Sequence, residues 1–231
     1  MKNIALPDTS LCAIVRDEIM NPAGGIIDFV DSTLPFVEEA IIVDTGSVDG
    51  TRQVLEEMSG KYPNLKIHDR KFDGYASSRN FSLKQIKTRR AFILDADERL
   101  TRDDFEKLVK ILSKTDKTAF DFIFLNILPR GKSYIPGHNP RMFNVGRKRN
   151  FYGEIWEHLR GTNECDTLST GIEIKHFAPE EKTWQKKKKE WYCHLQDYIS
   201  LGALQTFDLV PSQLPSYKEW KAYNPKRELY R

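Results

Sequence analysis

Short apolar runs alternate with longer amphipathic stretches through the first half of the chain. The runs are Leu11–Val15, Ala40–Val43, Leu65–Ile67 and Ala91–Leu94, and their continuity predicts strands buried on both faces. Between them, helical periodicity predicts helices around Gly25–Leu34, Thr51–Ser59 and Tyr75–Ile86. A fourth, Asp103–Leu112, follows the last run and opens with the capping pattern Thr101-x-x-Asp104. Strand and helix in alternation imply a parallel sheet. After about residue 118 the pattern changes, because the strand-like pieces Asp121–Leu128 and Arg141–Val145 are punctuated by Pro129, Gly131, Pro136, Gly137 and Pro140. This half is expected to be mixed. Gly171–Phe177 is a further strand candidate, Glu181 to about Leu204 reads as a helix, and the tail beyond Pro211 is irregular. There is neither an internal repeat nor a clean linker, so 1–231 is expected to form one α/β domain.

Composition narrows the function classes. Lys plus Arg total 36 against 33 Asp plus Glu, a net charge of +3, too balanced to make nucleic acid an expected partner. The apolar runs fall far short of the roughly 18 residues that a spanning helix needs. Pro7-Asp-Thr-Ser10 interrupts any apolar stretch after Lys2, so no signal-peptide core is expected. Cys12, Cys165 and Cys193 have no CxxC spacing, which argues against a disulfide framework and a zinc cluster. A reducing, cytoplasmic location is expected.

In open parallel sheets, ligands bind beyond the carboxyl ends of the strands, where strand order reverses. Here every predicted strand end opens onto acids: Arg16-Asp17-Glu18, Asp44-Thr-Gly-Ser-Val-Asp-Gly50, His68-Asp69-Arg70 and Asp95-Ala-Asp97-Glu98. One such acid is usually a helix cap or turn former, as Asp49 can be before the Thr51 helix. Four converging acidic ends repel one another, and a divalent cation or hydrogen-bonding ligand relieves the repulsion. Asp95 and Asp97, at i, i+2, can aim the same way as hard oxygen ligands for Mg²⁺ or Mn²⁺, leaving positions open to phosphate. Neither GxGxxG nor GxxxxGK[ST] is present, so phosphate is not met by a glycine loop. Arg79, near the start of its predicted helix, could meet a diphosphate together with backbone N–H groups.

The segments Leu11-Cys-Ala-Ile-Val-Arg-Asp-Glu18, Ile42-Val-Asp-Thr-Gly-Ser-Val-Asp-Gly-Thr51, Ala76-Ser-Ser-Arg-Asn-Phe81 and Ile93-Leu-Asp-Ala-Asp-Glu-Arg99 resemble, in order and spacing, the nucleotide-sugar-binding half of family 2 glycosyltransferases with the GT-A-type fold. The resemblance implies that Asp17 or Glu18 and Asp44 line the nucleoside pocket. It also implies that Arg79 and Asn80 approach base or diphosphate, that Asp95 contacts ribose or metal, and that Asp97 binds the metal. Downstream, Arg141-Met-Phe143 and Phe151-Tyr-Gly-Glu-Ile-Trp-Glu-His-Leu159 are similar to the family's Arg-x-Phe and F-x-G-x-[IV]-H-E-x-L elements. Trp156 replaces the usual His, and Asp17 stands where relatives often carry Asn. His176 would complete the metal shell.

The expectation is therefore a GT-A-type single domain with a mainly parallel central sheet flanked by helices. It has a nucleotide-sugar half over about 11–115, a mixed acceptor half over about 116–180, and a C-terminal helical segment and tail over about 181–231. The implied activity is metal-dependent (Mn²⁺ or Mg²⁺), inverting transfer of a sugar from a nucleotide diphosphate donor, a UDP-sugar, to a hydroxyl of a glycan, lipid-linked or protein acceptor. The base is expected in the second half, at Glu157, with Glu154 and His158 as alternatives. The basic segment Lys182–Tyr192 reads as a solvated helix face, a lid over the diphosphate or a peripheral membrane patch. The rival functions are a sugar nucleotidyltransferase and a non-enzymatic module that binds through the basic segment.

Overall fold

A computed structural model of the protein describes residues 5–177 apart from 20, 22, 129–130, 136–139, 147, 154–156 and 164. In chain order its elements are β1 (Leu6–Val15), α1 (Gly25–Thr33), β2 (Val37–Asp44), α2 (Thr51–Lys61), β3 (Leu65–Asp69), α3 (Tyr75–Gln85), β4 (Arg90–Ile93), β5 (Glu98–Arg99) and α4 (Arg102–Leu112). The second half adds β6 (Ala119–Leu128), β7 (Gly131–Ile135), β8 (Pro140–Asn144), β9 (Phe151–Tyr152), β10 (His158–Leu159) and β11 (Thr167–Phe177). The expected C-terminal helix, the basic segment and Glu154 lie outside the described residues.

The large sheet runs β3-β2-β1-β4-β8-β6-β11-β5, with β7 on β6, and its first four strands are parallel. β8 then pairs antiparallel with both β4 and β6, which makes the second half mixed. From β1 the chain moves outward to β2 and β3 and returns to β4 on the other side of β1, so strand order reverses between β1 and β4. The carboxyl ends of these two strands are where a ligand is expected.

Alternation along β1 explains why both faces are covered. Leu11, Ala13 and Val15 point into the larger core with Phe29 and Val30 of α1, Leu55 of α2, and Phe105 and Leu108 of α4. Cys12 and Ile14 point the other way, into a second core with Leu83 of α3, Phe143 of β8 and Phe151 of β9. Each such Leu or Phe contributes about 1.5–3 kcal/mol on burial. The Thr101 side chain caps α4 by accepting from Asp104 N, while Asp104 returns a carboxylate oxygen to Thr101 N, closing the predicted capping box. α3 and β9 thus share one face of the sheet, and this brings the two halves of the chain together above the strand ends.

Candidate active site

At the ends of β1, β2 and β3 lies a cavity of about 660 Å³ whose wall includes Arg16, Asp44, Arg52, Asp69, Arg70 and Phe72. Asp44 is 3% exposed. Its Oδ1 accepts from Gly46 N and Ser47 N, both at 2.8 Å, which folds the strand end into a turn. Its Oδ2 is buried and has no hydrogen-bond partner among the described residues. A buried carboxylate oxygen left unpaired is costly, and one beside a cavity is set to accept from a ligand N–H.

Asp17 and Glu18 do not line that cavity; Arg16 does. Asp17 takes a left-handed backbone, φ 53°, and its Oδ1 accepts from Val48 N (2.7 Å) and Asp49 N (3.2 Å). The Glu18 carboxylate accepts from Asn21 Nδ2 at 2.9 Å. Asp49 accepts from Ile19 N, Thr51 N and the Thr51 hydroxyl, the cap-like role weighed for it. Asp17 and Asp49 thus fasten the loops after β1 and β2 to each other, while the Glu18 carboxylate bond stays within the loop after β1.

Beyond β4 a denser charge cluster forms. Arg79, on α3 and 5% exposed, donates from Nη2 to Asp95 Oδ1 at 2.7 Å and from Nε to Glu157 Oε1. Burial works against the guanidinium's charge, but Asp95 and Glu157 outweigh it and push its pKa up. Asn80, next along α3, donates to Phe151 O (2.8 Å) and accepts from Phe151 N (2.7 Å). It fixes the start of β9 and leaves Arg79 to reach Glu157 a few residues on. His158, on the neighbouring strand, is exposed and packs on Tyr152 with ring centroids 5.8 Å apart.

Arg141 and Glu98 join the cluster although no role was expected of either. Arg141 Nη2 lies 2.6 Å from Glu98 Oε1 and 3.8 Å from Asp95 Oδ2. Glu98 Oε2 accepts from Asp95 N at 2.9 Å. Burial pushes the Glu98 carboxyl up to about 7, Arg141 opposing and Asp95 and Asp97 adding to the rise. For Asp95, burial alone would raise the carboxyl, but Arg79 and then Arg141 hold it below the usual carboxylate range. Arg99, 2% exposed, donates to the carbonyls of Ala96, Glu98, Ala23 and Gly25 and so fixes the backbone between the two aspartates. The Arg-x-Phe pattern was the sequence signal for Arg141. Arg99 offered none, since burial of an arginine follows from tertiary contacts.

β5 pairs antiparallel with β11 and sets His176 opposite Glu98, beside Asp97. His176 Nε2 is 3.6 Å from Asp97 Oδ2, and Nδ1 is 2.7 Å from Asn126 Oδ1. With Nδ1 donating to that amide oxygen, Nε2 is the ring nitrogen that faces the carboxylate, where a cation or a proton could be shared between them. Among the described residues no three His, Cys, Asp or Glu side chains converge as a complete cation cage. Two protein ligands nevertheless suit Mg²⁺ or Mn²⁺, which keep water and phosphate oxygens in the remaining positions. The donor set of Asp97 and His176 fits such an ion, whereas Asp95 is engaged by arginines.

Fold and site together define an α/β protein of GT-A type with an acidic, arginine-bridged crevice at its strand ends. The chain belongs to glycosyl transferase family 2, whose model matches residues 24–169. It is 30% identical over 164 residues to the lipopolysaccharide core biosynthesis glycosyltransferase LpsC of Rhizobium meliloti, covering 68% of this chain and 60% of that one. To the cholesterol galactosyltransferase of Borreliella burgdorferi it is 29% identical over 153 residues, covering 58% of this chain and 42% of that one. The chain thus spans less than two thirds of the length of these relatives. Among solved structures, S. aureus TarS 1–349 in complex with UDP aligns with TM-score 0.46 and 20% identity over 56% of this chain and 38% of that one. No helix among the described residues is long and apolar enough to cross a membrane.

Proposed function

We propose that this family 2 glycosyltransferase transfers a sugar from a UDP-sugar, with inversion, to a hydroxyl of a glycan or lipid-linked acceptor. The observation that carries the donor reading is Asp44, which lines the cavity at the ends of β1–β3 and whose buried Oδ2 has no hydrogen-bond partner among the described residues. A uracil ring offers an imide N–H to such an acceptor, and a neutral nucleobase places no second anion beside it. Relatives named for lipopolysaccharide core biosynthesis and for cholesterol support an acceptor that is itself a glycan or a lipid.

With the base in that cavity, the diphosphate extends toward the end of β4, where Arg79 can meet it. Asp97 and His176 would hold the divalent cation, which when bound supplies positive charge to the diphosphate leaving group. Glu157 lies across Arg79 from Asp95 and is the proposed base. As the acceptor oxygen bonds to the anomeric carbon, the bond from that carbon to the diphosphate oxygen breaks, UDP leaves with the electron pair, and the hydroxyl proton passes to Glu157. Asp95, facing Arg79 and Arg141, orients these cations. A thermal-shift panel of nucleotide sugars with and without Mn²⁺ tests the donor assignment, because a ligand bound only by the native state raises its melting temperature. UDP-sugars should give the largest shift, and the reading is wrong if purine nucleotide sugars stabilise more.

A further inference from the structure

Arg79 has two carboxylate partners of unequal standing. Asp95 sits at the end of β4, faces a second cation in Arg141, and hydrogen-bonds through its backbone to Glu98. Glu157 lies in the short connection between β9 and β10, and among the described residues Arg79 is the cation that holds it. Its side chain is 12% exposed, so an oxygen tied to Arg79 is masked from solvent and from an arriving hydroxyl. The same guanidinium, on α3 beside the end of β4, is a planar cation that a diphosphate bound there can engage.

We propose, resting on the donor and base assignments above, that Arg79 is a donor-responsive clamp on Glu157. Without donor, the Arg79–Glu157 ion pair holds the carboxylate away from the acceptor. A bound diphosphate carries more charge and offers paired oxygens to the planar guanidinium. It draws Nε from Glu157 while Asp95 keeps Nη2, and the freed carboxylate oxygen turns to the acceptor hydroxyl. Arg79 is thus a positioning residue acting through Glu157, and donor binding must precede productive acceptor binding.

Breaking the ion pair subtracts from diphosphate affinity, and removing it should return that affinity. Calorimetry with UDP and with uridine, in Mn²⁺, compares wild type with Glu157→Gln. The clamp predicts about tenfold tighter UDP binding in Glu157→Gln, the scale of one charge-assisted hydrogen bond, with uridine affinity unchanged. Simple repulsion between Glu157 and the diphosphate would also tighten UDP binding, so the substitution is repeated in an Arg79→Lys background. One ammonium cannot bridge two carboxylates in the same way, and there the gain should fall below about twofold. An undiminished gain with Arg79→Lys, or UDP affinity in Glu157→Gln within about twofold of wild type, overturns the clamp; if Arg79→Lys does not fold, Arg79→Gln takes its place in the same comparison. Pyrophosphate, which carries the diphosphate without a base, keeps two failures apart. A tenfold gain for pyrophosphate in a protein that ignores UDP retains the clamp and discards the donor assignment, and wild type that binds neither discards both.

Discussion

Asp44→Asn separates ligand recognition from folding at the cavity. In the wild type one carboxylate oxygen holds the turn through Gly46 N and Ser47 N, and the other is buried with no hydrogen-bond partner among the described residues. Both turn groups are donors, so the amide oxygen of Asn must take the place of Oδ1 and the amide NH₂ must face the cavity. A group that accepted a base N–H is thereby replaced by one that donates. The loss of a hydrogen bond to a charged acceptor is worth about 1.5–3 kcal/mol, or about 10- to 150-fold in Kd. Folding should change little, because the substitution keeps the turn and exchanges one unpaired buried group for another. Asp44→Ala is the poorer probe, since stripping two backbone N–H groups of their acceptor costs about 1–3 kcal/mol of its own. The assay is calorimetry with UDP alongside urea unfolding. An Asp44→Asn protein with wild-type UDP affinity would refute the placement of the base against Asp44, and one that is unfolded would refute the account of the turn.

Two further outcomes are expected. Asp97→Ala should remain folded but lose the Mn²⁺-dependent part of UDP affinity, read by titrating UDP with Mn²⁺ and with chelator; an unchanged metal effect would remove Asp97 from the metal site. At the opposite end of the sheet, Glu39 accepts from Ser10 Oγ (2.7 Å), Lys87 N (3.0 Å) and Lys66 Nζ, and although burial pushes its carboxyl up, Lys66 and then Ser10 and Lys87 hold it below the usual range. A lowered folded value gives stabilisation that is complete above the unfolded value of about 4.3 and lost as pH falls through the folded one. Glu39→Gln should therefore lower the urea midpoint at pH 7, with the gap to wild type narrowing as pH drops from about 5 to 3; a gap that stays constant over that range contradicts the assignment.

Much of this architecture is written locally in the chain. The four apolar runs became β1 to β4, the first three extended by two to five residues and the fourth shifted by one to Arg90–Ile93, and Thr101 and Asp104 met as a capping box because both partners lie within one turn. β5, β9 and β10 have two residues each, too short for any period to show. They nonetheless bring His176 to Asp97 and Glu157 to Arg79. The acids at the strand ends were legible as a cluster, but their division of labour was not. Asp17 and Asp49 hold loops and Asp44 faces the cavity, and only the path of the backbone after each strand decides which. Arg79 was read as a diphosphate group, and its tie to Glu157, 78 positions away, depends on α3 and β9 sharing one face of the sheet.

The central claim is inverting transfer from a nucleotide sugar, and the slow transfer to water of a sugar from a UDP-α-sugar tests it most directly. Proton NMR of the first sugar released, recorded before mutarotation, reports which anomer forms. The account predicts the β-anomer from wild type, with release slowed about 10²-fold or more in Glu157→Gln, the scale of general-base catalysis. Initial release of the α-anomer, or of no sugar from any nucleotide sugar that the protein binds, would contradict it.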